Sequence, residues 1–247
     1  MKALNVGKFE IRLMNKDEAE LKQVQAFRYQ YLLRDYNPTL PENGFDDDGY
    51  DAYSDTLLVI DHEENKIVGT YRLATPSTIQ DASYLTEAQY DLSALRKNNI
   101  NFVELGRAVV HPLYRNGFVI QLLFMGLYHY AKSMGCKYMI GLCSFHGTDP
   151  KQYQNAFAIL KRDYAFTDYQ FNAISNKISF ACSGEVDEHL AKSEMPGLLR
   201  MYLNLGAKVA PEGSIDYVFQ SCDVLILLDV ESINVRYLER IMRIKVS

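Results

Sequence analysis

Phe102-Val103-Glu104-Leu105-Gly106-Arg107-Ala108-Val109-Val110 reads as a strand of apolar residues broken by a glutamate, a glycine and an arginine. Its aromatic and β-branched residues favour a pleated, buried conformation. Alternation places Glu104 on the face it shares with Phe102 and Ala108. A carboxylate there is costly unless it is paired or protonated. Burial that raises its pKa would make it a base able to take a proton from an ammonium. The alternative is a structural ion pair between Glu104 and Arg107, and the strand alone leaves both open. Gly106 predicts a bulge or a close backbone approach. A bulge would turn Arg107 toward the same place and present a backbone N–H to a carbonyl oxygen, a donor of a kind worth about 3 kcal/mol to a developing oxyanion.

Working outward, His111-Pro112-Leu113-Tyr114-Arg115-Asn116-Gly117 leads into an apolar helix over Gly117–Ser133, followed by a buried strand over Lys137–Cys143. Beyond it the pattern predicts a helix after Pro150, a helix over Leu198–Leu205, and strands at Tyr217–Phe219 and Val224–Asp229. Upstream, Thr56–Asp61 and Lys66–Leu73 form a predicted hairpin, preceded by an acidic, turn-rich loop over Asn37–Asp55. A strand over Lys8–Leu13 and a helix running to Arg34, opened by Asn15 with Glu18, complete the order. The order implies an α/β (α+β) fold, a mixed, mostly antiparallel sheet flanked by helices. No repeat, low-complexity tract or Gly/Ser linker interrupts it, which favours one domain over 1–247. The segment 233–247 interleaves apolar with basic residues and reads as an amphipathic surface helix.

Composition narrows the class. Of 247 residues 48% are apolar and 23% charged, with a net charge of −5, the balance of a globular protein with no bias toward nucleic acid. The longest aliphatic run, Val224–Leu228, is far short of the roughly 20 residues that span a bilayer. Met1–Glu10 has no apolar core of a signal peptide, so the expected location is cytoplasmic. Cys136, Cys143, Cys182 and Cys222 lack metal-ligand spacing and read as reduced core thiols, and no metal site is expected.

Charge is distributed unevenly. From Arg107 to Arg162 there are seven basic residues (Arg107, Arg115, Lys132, Lys137, Lys151, Lys161, Arg162) against one acid, Asp149, a local charge of +6. That asymmetry points either to an anionic partner or to a set of solvated lysines. Arg115, Asn116 and Gly117, at a helix N-terminus, suit a phosphate, although most turns of this kind are only structural. Asp46, Asp47, Asp48, Asp51 and Asp55 crowd the acidic loop, where solvation is the first expectation and an amine site the second. Arg28 falls within the apolar stripe of the first helix (Leu21, Val24, Tyr31, Leu32), and Arg72 lies within a strand. Each is either buried with a structural partner or placed to bind a carboxylate or phosphate. His129 reads as a packing residue, and His146 lies at the end of a strand, where sites often form.

Gly69-Thr70-Tyr71-Arg72-Leu73, Glu104-Leu105-Gly106-Arg107 and His111-Pro112-Leu113-Tyr114-Arg115 together resemble the acyl-carrier-dependent branch of the GNAT superfamily. Gly141-Leu142-Cys143-Ser144-Phe145-His146-Gly147, the run Pro196–Val209 and the run Asp223–Val230 extend the likeness, most closely to the ornithine Nα-acyltransferases, often called hemolysin-like. The resemblance covers roughly Phe9–Arg240. It implies a GNAT fold and transfer of a long acyl chain, with or without a 3-hydroxyl, from acyl carrier protein to the α-amine of ornithine, giving lyso-ornithine lipid. It implies catalytic roles for Glu104 and Arg107, and substrate-binding roles for Arg28, Asp46, Asp48, Arg72 and Ser144. Arg115, Asn116 and Gly117 would meet the phosphopantetheine phosphate. The loop lacks the R-x-x-G-x-G/A pattern of acetyl-CoA enzymes, which disfavours CoA, and no cofactor is expected beyond the acyl carrier co-substrate. The amphipathicity of the segment 233–247 predicts peripheral contact of that segment with the inner membrane, where a lipid product must go. The alternatives are another acceptor (glycine, tyrosine), a lactone-type synthase, or a non-catalytic acyl-carrier or lipid-binding protein.

Overall fold

The computed structural model describes residues 1–79, 82–180 and 185–234; Cys182 and 235–247, the greater part of the expected C-terminal helix, lie outside the described residues. By its contacts the chain divides into two compact units, Met1–Ala82 with Phe102–Cys136, and Ser83–Asn101 with Lys137–Asn234.

The first unit carries strands β1 (Leu4–Val6), β2 (Phe9–Leu13), β3 (Asp55–Asp61), β4 (Lys66–Ala74) and β5 (Phe102–Val110). They pair in sequence order, each antiparallel to the next. β1 escaped the sequence reading because it is only three residues long; Gly7, at φ +58°, makes the tight reversal into β2. The expected hairpin is the β3–β4 pair, one residue longer at each outer end.

The first helix, α1 (Glu18–Arg28), is capped by Asp17, whose carboxylate accepts from Glu20 N at 2.8 Å. The predicted Asn15–Glu18 pair is therefore not the cap. Asn15 instead gives its N–H to the Glu20 carboxylate, and Asp17 supplies the anion that the helix N-terminus favours. The helical run passes through a π turn over Tyr29–Leu33 and ends at Tyr36. Helix α2 (Phe118–Ser133) packs against β2, β3, β4 and β5. Gly126 permits a close approach, since a Cβ there would lie 2.7 Å from Leu57 Cδ2 and 2.9 Å from Ile11 Cγ2. Leu122, Leu123, Phe124 and Leu127 are buried on this helix, each contributing about 1.5–3 kcal/mol relative to exposure.

The second unit is built on β6 (Tyr138–His146), β7 (Lys177–Ser179), β8 (Lys208–Val209), β9 (Glu212–Asp216) and β10 (Ser221–Asp229). β10, apolar over Val224–Leu228, runs antiparallel to β6 from Ser221↔His146 to Asp229↔Tyr138. β8 and β9 pair with β10 in turn, and β7 pairs with β9. Helices α3 (Gln154–Asp163) and α4 (Glu188–Glu194) pack together, with Glu194 accepting from Asn155 Nδ2 at 2.8 Å and Ala156 N at 2.7 Å. Helix α5 (Gly197–Leu205) lies against β10. The strand expected at Tyr217–Phe219 is a turn instead. The strand is the preceding Glu212–Asp216, where Gly213, Ser214 and two acids conceal it from a propensity reading.

Candidate active site

The bulge forecast at Gly106 is present immediately after it. Thr70 pairs with Val109 and Arg72 with Gly106, so Tyr71 on β4 faces two residues, Arg107 and Ala108, on β5. Arg107 carries the local distortion, at φ +50°, a left-handed conformation rare for a residue with a side chain. Thr70 Oγ1 donates to the Arg107 carbonyl at 3.3 Å. Gly106 keeps an ordinary φ, and a Cβ there would meet no atom within 4 Å. Glu104, buried as expected, stands opposite Ala74 three residues before the bulge.

What fixes Arg107 is the acidic loop. Arg107 Nε donates to Asp46 Oδ2 at 2.8 Å, and its NH2 to Asp48 Oδ2 at 2.8 Å. Arg72 forks onto both oxygens of Asp48, at 2.7 and 2.8 Å. Arg28 forks onto Asp51, at 2.7 and 2.6 Å; its NH2 also reaches the Asp46 carbonyl at 2.7 Å, and its Nε lies 2.8 Å from Asp46 Oδ2. Three arginines from α1, β4 and β5 thus meet three aspartates from one loop, and their charges cancel. Forked geometry of this kind is why arginine, rather than lysine, suits such sites.

These contacts overturn the expectation of solvation for Asp46, Asp48 and Asp51, while Asp47 is exposed as expected. Asp46 and Asp51 are buried, and Asp48 is the most accessible of the three, with 23% of its side chain exposed. Burial pushes the Asp48 carboxyl upward, but the Arg72 hydrogen bond and the charges of Arg72 and Arg107 outweigh it and leave the pKa at about 2. At Asp51, burial is likewise overcome by Arg28, so the pKa falls below the usual value. Arg28 itself is fully buried, and as placed its guanidinium is spent on the loop.

The structure thus brings together Arg28, Asp46, Asp48, Arg72 and Arg107, with Glu104 on the same strand. Sequence reasoning weighed Asp51 only as one acid of a crowded loop. Its pairing with Arg28, across 23 residues, has no local signal, although a buried helical arginine called for some carboxylate.

Arg115, Asn116 and Gly117 sit at the start of α2. Gly117 caps it at φ +94°, Asn116 Oδ1 accepts from Phe118 N at 3.1 Å, and Arg115 pairs with Asp35 at 2.6 Å. The +6 segment is partly neutralised in the fold, because Arg107 pairs with Asp46 and Asp48, Arg115 with Asp35, and Arg162 with Asp163 and Glu188. His129 is exposed on α2, not packed as predicted. It lies on the side of the helix turned from the sheet, beside Tyr128.

Ser144 belongs to the second unit. It bonds to Asp223, which also accepts from Gln89 Nε2 at 2.9 Å and Ser221 Oγ at 2.8 Å. Burial raises the Asp223 pKa despite these donors. Cys136, Cys143 and Cys222 are buried free thiols; burial lifts Cys136 and Cys222 to about 11 and Cys143 higher still. Among the described residues no group of three or more His, Cys, Asp or Glu could hold a metal ion, and no helix is long and apolar enough to cross a membrane.

The fold and the bulged strand define a class first. The family model described as an acetyltransferase (GNAT) domain matches residues 27–125, and the fold is that of GNAT enzymes, a mixed, mostly antiparallel sheet flanked by helices. A CoA-dependent acyl-homoserine lactone synthase superposes with a TM-score of 0.54 at 16% identity, covering 98% of this chain and 90% of its own. An N-acyl amino acid synthase from uncultured soil microbes gives 0.52 at 12%, covering 90% and 92%. Among curated proteins, an L-ornithine N(alpha)-acyltransferase of Agrobacterium fabrum is 30% identical over 94% of this chain and 85% of its own length. Its counterpart from Rhizobium meliloti is 30% identical over 94% and 84%. The chain belongs to the L-ornithine N(alpha)-acyltransferase family, and it is an acyltransferase.

Proposed function

We propose that this chain transfers a long acyl group from the phosphopantetheine thioester of an acyl carrier protein to the α-amine of ornithine. The observation that carries the chemistry is a buried carboxylate, Glu104, three residues from a bulge whose arginine is held in a left-handed conformation by Asp46 and Asp48. The likeness to ornithine acyltransferases over 94% of the chain supports the acceptor.

The amine nitrogen attacks the thioester carbonyl; the C–N bond forms, the C–S bond breaks, and the electron pair leaves on sulfur. Glu104 takes the proton lost by the amine and returns it to the departing thiolate, so the step consumes no other reactant. The strand backbone at the bulge holds the oxyanion. Asp46, Asp48 and Arg72 act by fixing Arg107, which keeps that backbone in place. The Arg115–Gly117 turn, at the N-terminus of α2 with open space beside Gly117, suits the single phosphate of phosphopantetheine. The reaction needs no cofactor beyond its acyl donor. It belongs in the cytoplasm, where acyl carrier protein is found, beside the membrane that receives the product.

The test is purified chain with ornithine and glycine in competition and either acyl-loaded carrier protein or acyl-CoA as donor, read by mass spectrometry. Acyl-ornithine formed with the carrier protein is the expected product. An acyl-glycine would overturn the acceptor, and product from CoA alone would overturn the donor. Glu104→Gln should lower kcat by roughly a hundredfold or more while leaving carrier affinity unchanged; unchanged turnover would refute the role of Glu104.

A further inference from the structure

The turn between β9 and β10 presents apolar side chains to solvent. Val218 is 93% exposed and Tyr217 59%. Ile174, 56% exposed, shares this end of the β7–β9 edge, because nearby Asn176 accepts from Ile215 N at 2.9 Å and donates to the Ile215 carbonyl at 3.2 Å.

We propose that this turn is a membrane-insertion tip, which seats Tyr217 and Val218, with Ile174 beside them, in the headgroup–acyl boundary of a lipid bilayer. The turn is ordered in advance. Asp216 Oδ1 accepts from Val218 N and Phe219 N, each at 2.8 Å, and Gln220 closes back onto the Tyr217 carbonyl. Gly147 N donates to the Gln220 carbonyl at 2.9 Å and ties the turn to the end of β6. The entropy lost on docking is correspondingly small.

The same bonds remove the main obstacle to leaving water, since a buried N–H without a partner is expensive in lipid and these two already have one. The carboxylate at the tip also has a partner for its second oxygen, since Asp216 Oδ2 accepts from Gln89 Nε2 at 3.2 Å. Tyrosine with an aliphatic neighbour suits the boundary region of a bilayer.

A lipid surface fits better than a protein partner because of size. Three partly exposed side chains offer a few hundred Å², well below the roughly 800 Å² per partner of a stable protein complex. A fluid bilayer accepts a small projection without a complementary surface. The inference rests on the proposed function only for its purpose, which is to deliver an acylated product to lipid. Its test needs neither donor nor acceptor, so a failed transfer assay would leave it standing.

The chain contains no tryptophan, so Val218→Trp introduces a single reporter. With vesicles of phosphatidylethanolamine and phosphatidylglycerol, its emission should shift to the blue and resist acrylamide. Leu190→Trp, exposed on α4 of the same unit, should show neither effect. Val218→Asp, at a site where no packing is lost, should reduce vesicle co-sedimentation about tenfold. No shift for Val218→Trp, an equal shift for Leu190→Trp, or unchanged sedimentation of Val218→Asp would each overturn the proposal. So would a blue shift that grows with protein concentration without vesicles, which would identify a second copy as the occupant.

Discussion

Replacing Arg28 by methionine keeps most of the side-chain volume and deletes the fork that grips the acidic loop. Two hydrogen bonds to Asp51 and one to the Asp46 carbonyl are lost, with the Nε contact to Asp46. Asp46 keeps Arg107 as a partner; Asp51 keeps Gln25 at 3.1 Å and a distant Arg72 at 3.5 Å. Breaking a buried ion pair from one side costs about 3–5 kcal/mol, and the remaining partners place Arg28→Met near the middle of that range, at about 4 kcal/mol. With a urea slope of about 2–3 kcal/mol/M the midpoint falls by roughly 1–2 M. Far-UV circular dichroism is the appropriate readout in a chain without tryptophan. Adding Asp51→Asn removes the stranded charge and should restore about 1–2 kcal/mol. A midpoint shift below about 0.3 M, or a double variant that loses the full sum of the single losses, would refute the account of a coupled buried pair.

Asp223→Asn should stabilise the protein at neutral pH. The folded pKa of Asp223 lies above its unfolded value of 3.8, so its stability penalty grows as pH rises from there through the folded pKa. The Tm gap between variant and wild type should therefore widen from pH 4 to pH 7, and a pH-independent gap would count against this. Asp48 has the opposite sign. Its contribution is complete above its unfolded pKa and disappears as pH falls toward about 2, so Asp48→Asn should flatten the Tm profile between pH 4 and pH 2; a slope equal to wild type would contradict it. Gly126→Ala forces a methyl against Leu57 and Ile11 and should cost about 1–3 kcal/mol in chemical denaturation. A neutral result would mean that α2 can lift from the sheet freely.

The elements legible in the sequence were those with a strong period or a clean stop. β5 was read to the residue, and α2 to within one, because aromatic and β-branched residues bound the first and Gly117 opens the second. β9 was misplaced because Tyr217-Val218-Phe219 has the higher strand propensity, yet Asp216 captures the backbone N–H groups those residues would have given to a partner strand. The site was legible as a set of residue types, buried arginines and a crowded acidic loop. Their pairing was not. Which of five aspartates meets which arginine depends on how a loop of nearly twenty residues folds over β4 and β5, and no local pattern encodes that. The bulge was signalled by Gly106, but the residue that takes the left-handed conformation is Arg107, where hydrogen bonds to the loop offset a cost of about 1–3 kcal/mol.

In the arginine–aspartate cluster Asp46 serves both Arg28 and Arg107, and Asp48 serves both Arg72 and Arg107. A pairwise salt bridge can be exchanged during divergence by two steps, one on each side. A closed mesh cannot, because a change at either aspartate disturbs two arginines on different strands or helices, and each repair disturbs the next link. Sequences drifting from this one should therefore keep the mesh whole or lose it whole, and a chimera that joins the acidic loop of one relative to the strands of another should fail unless every member of the cluster travels together.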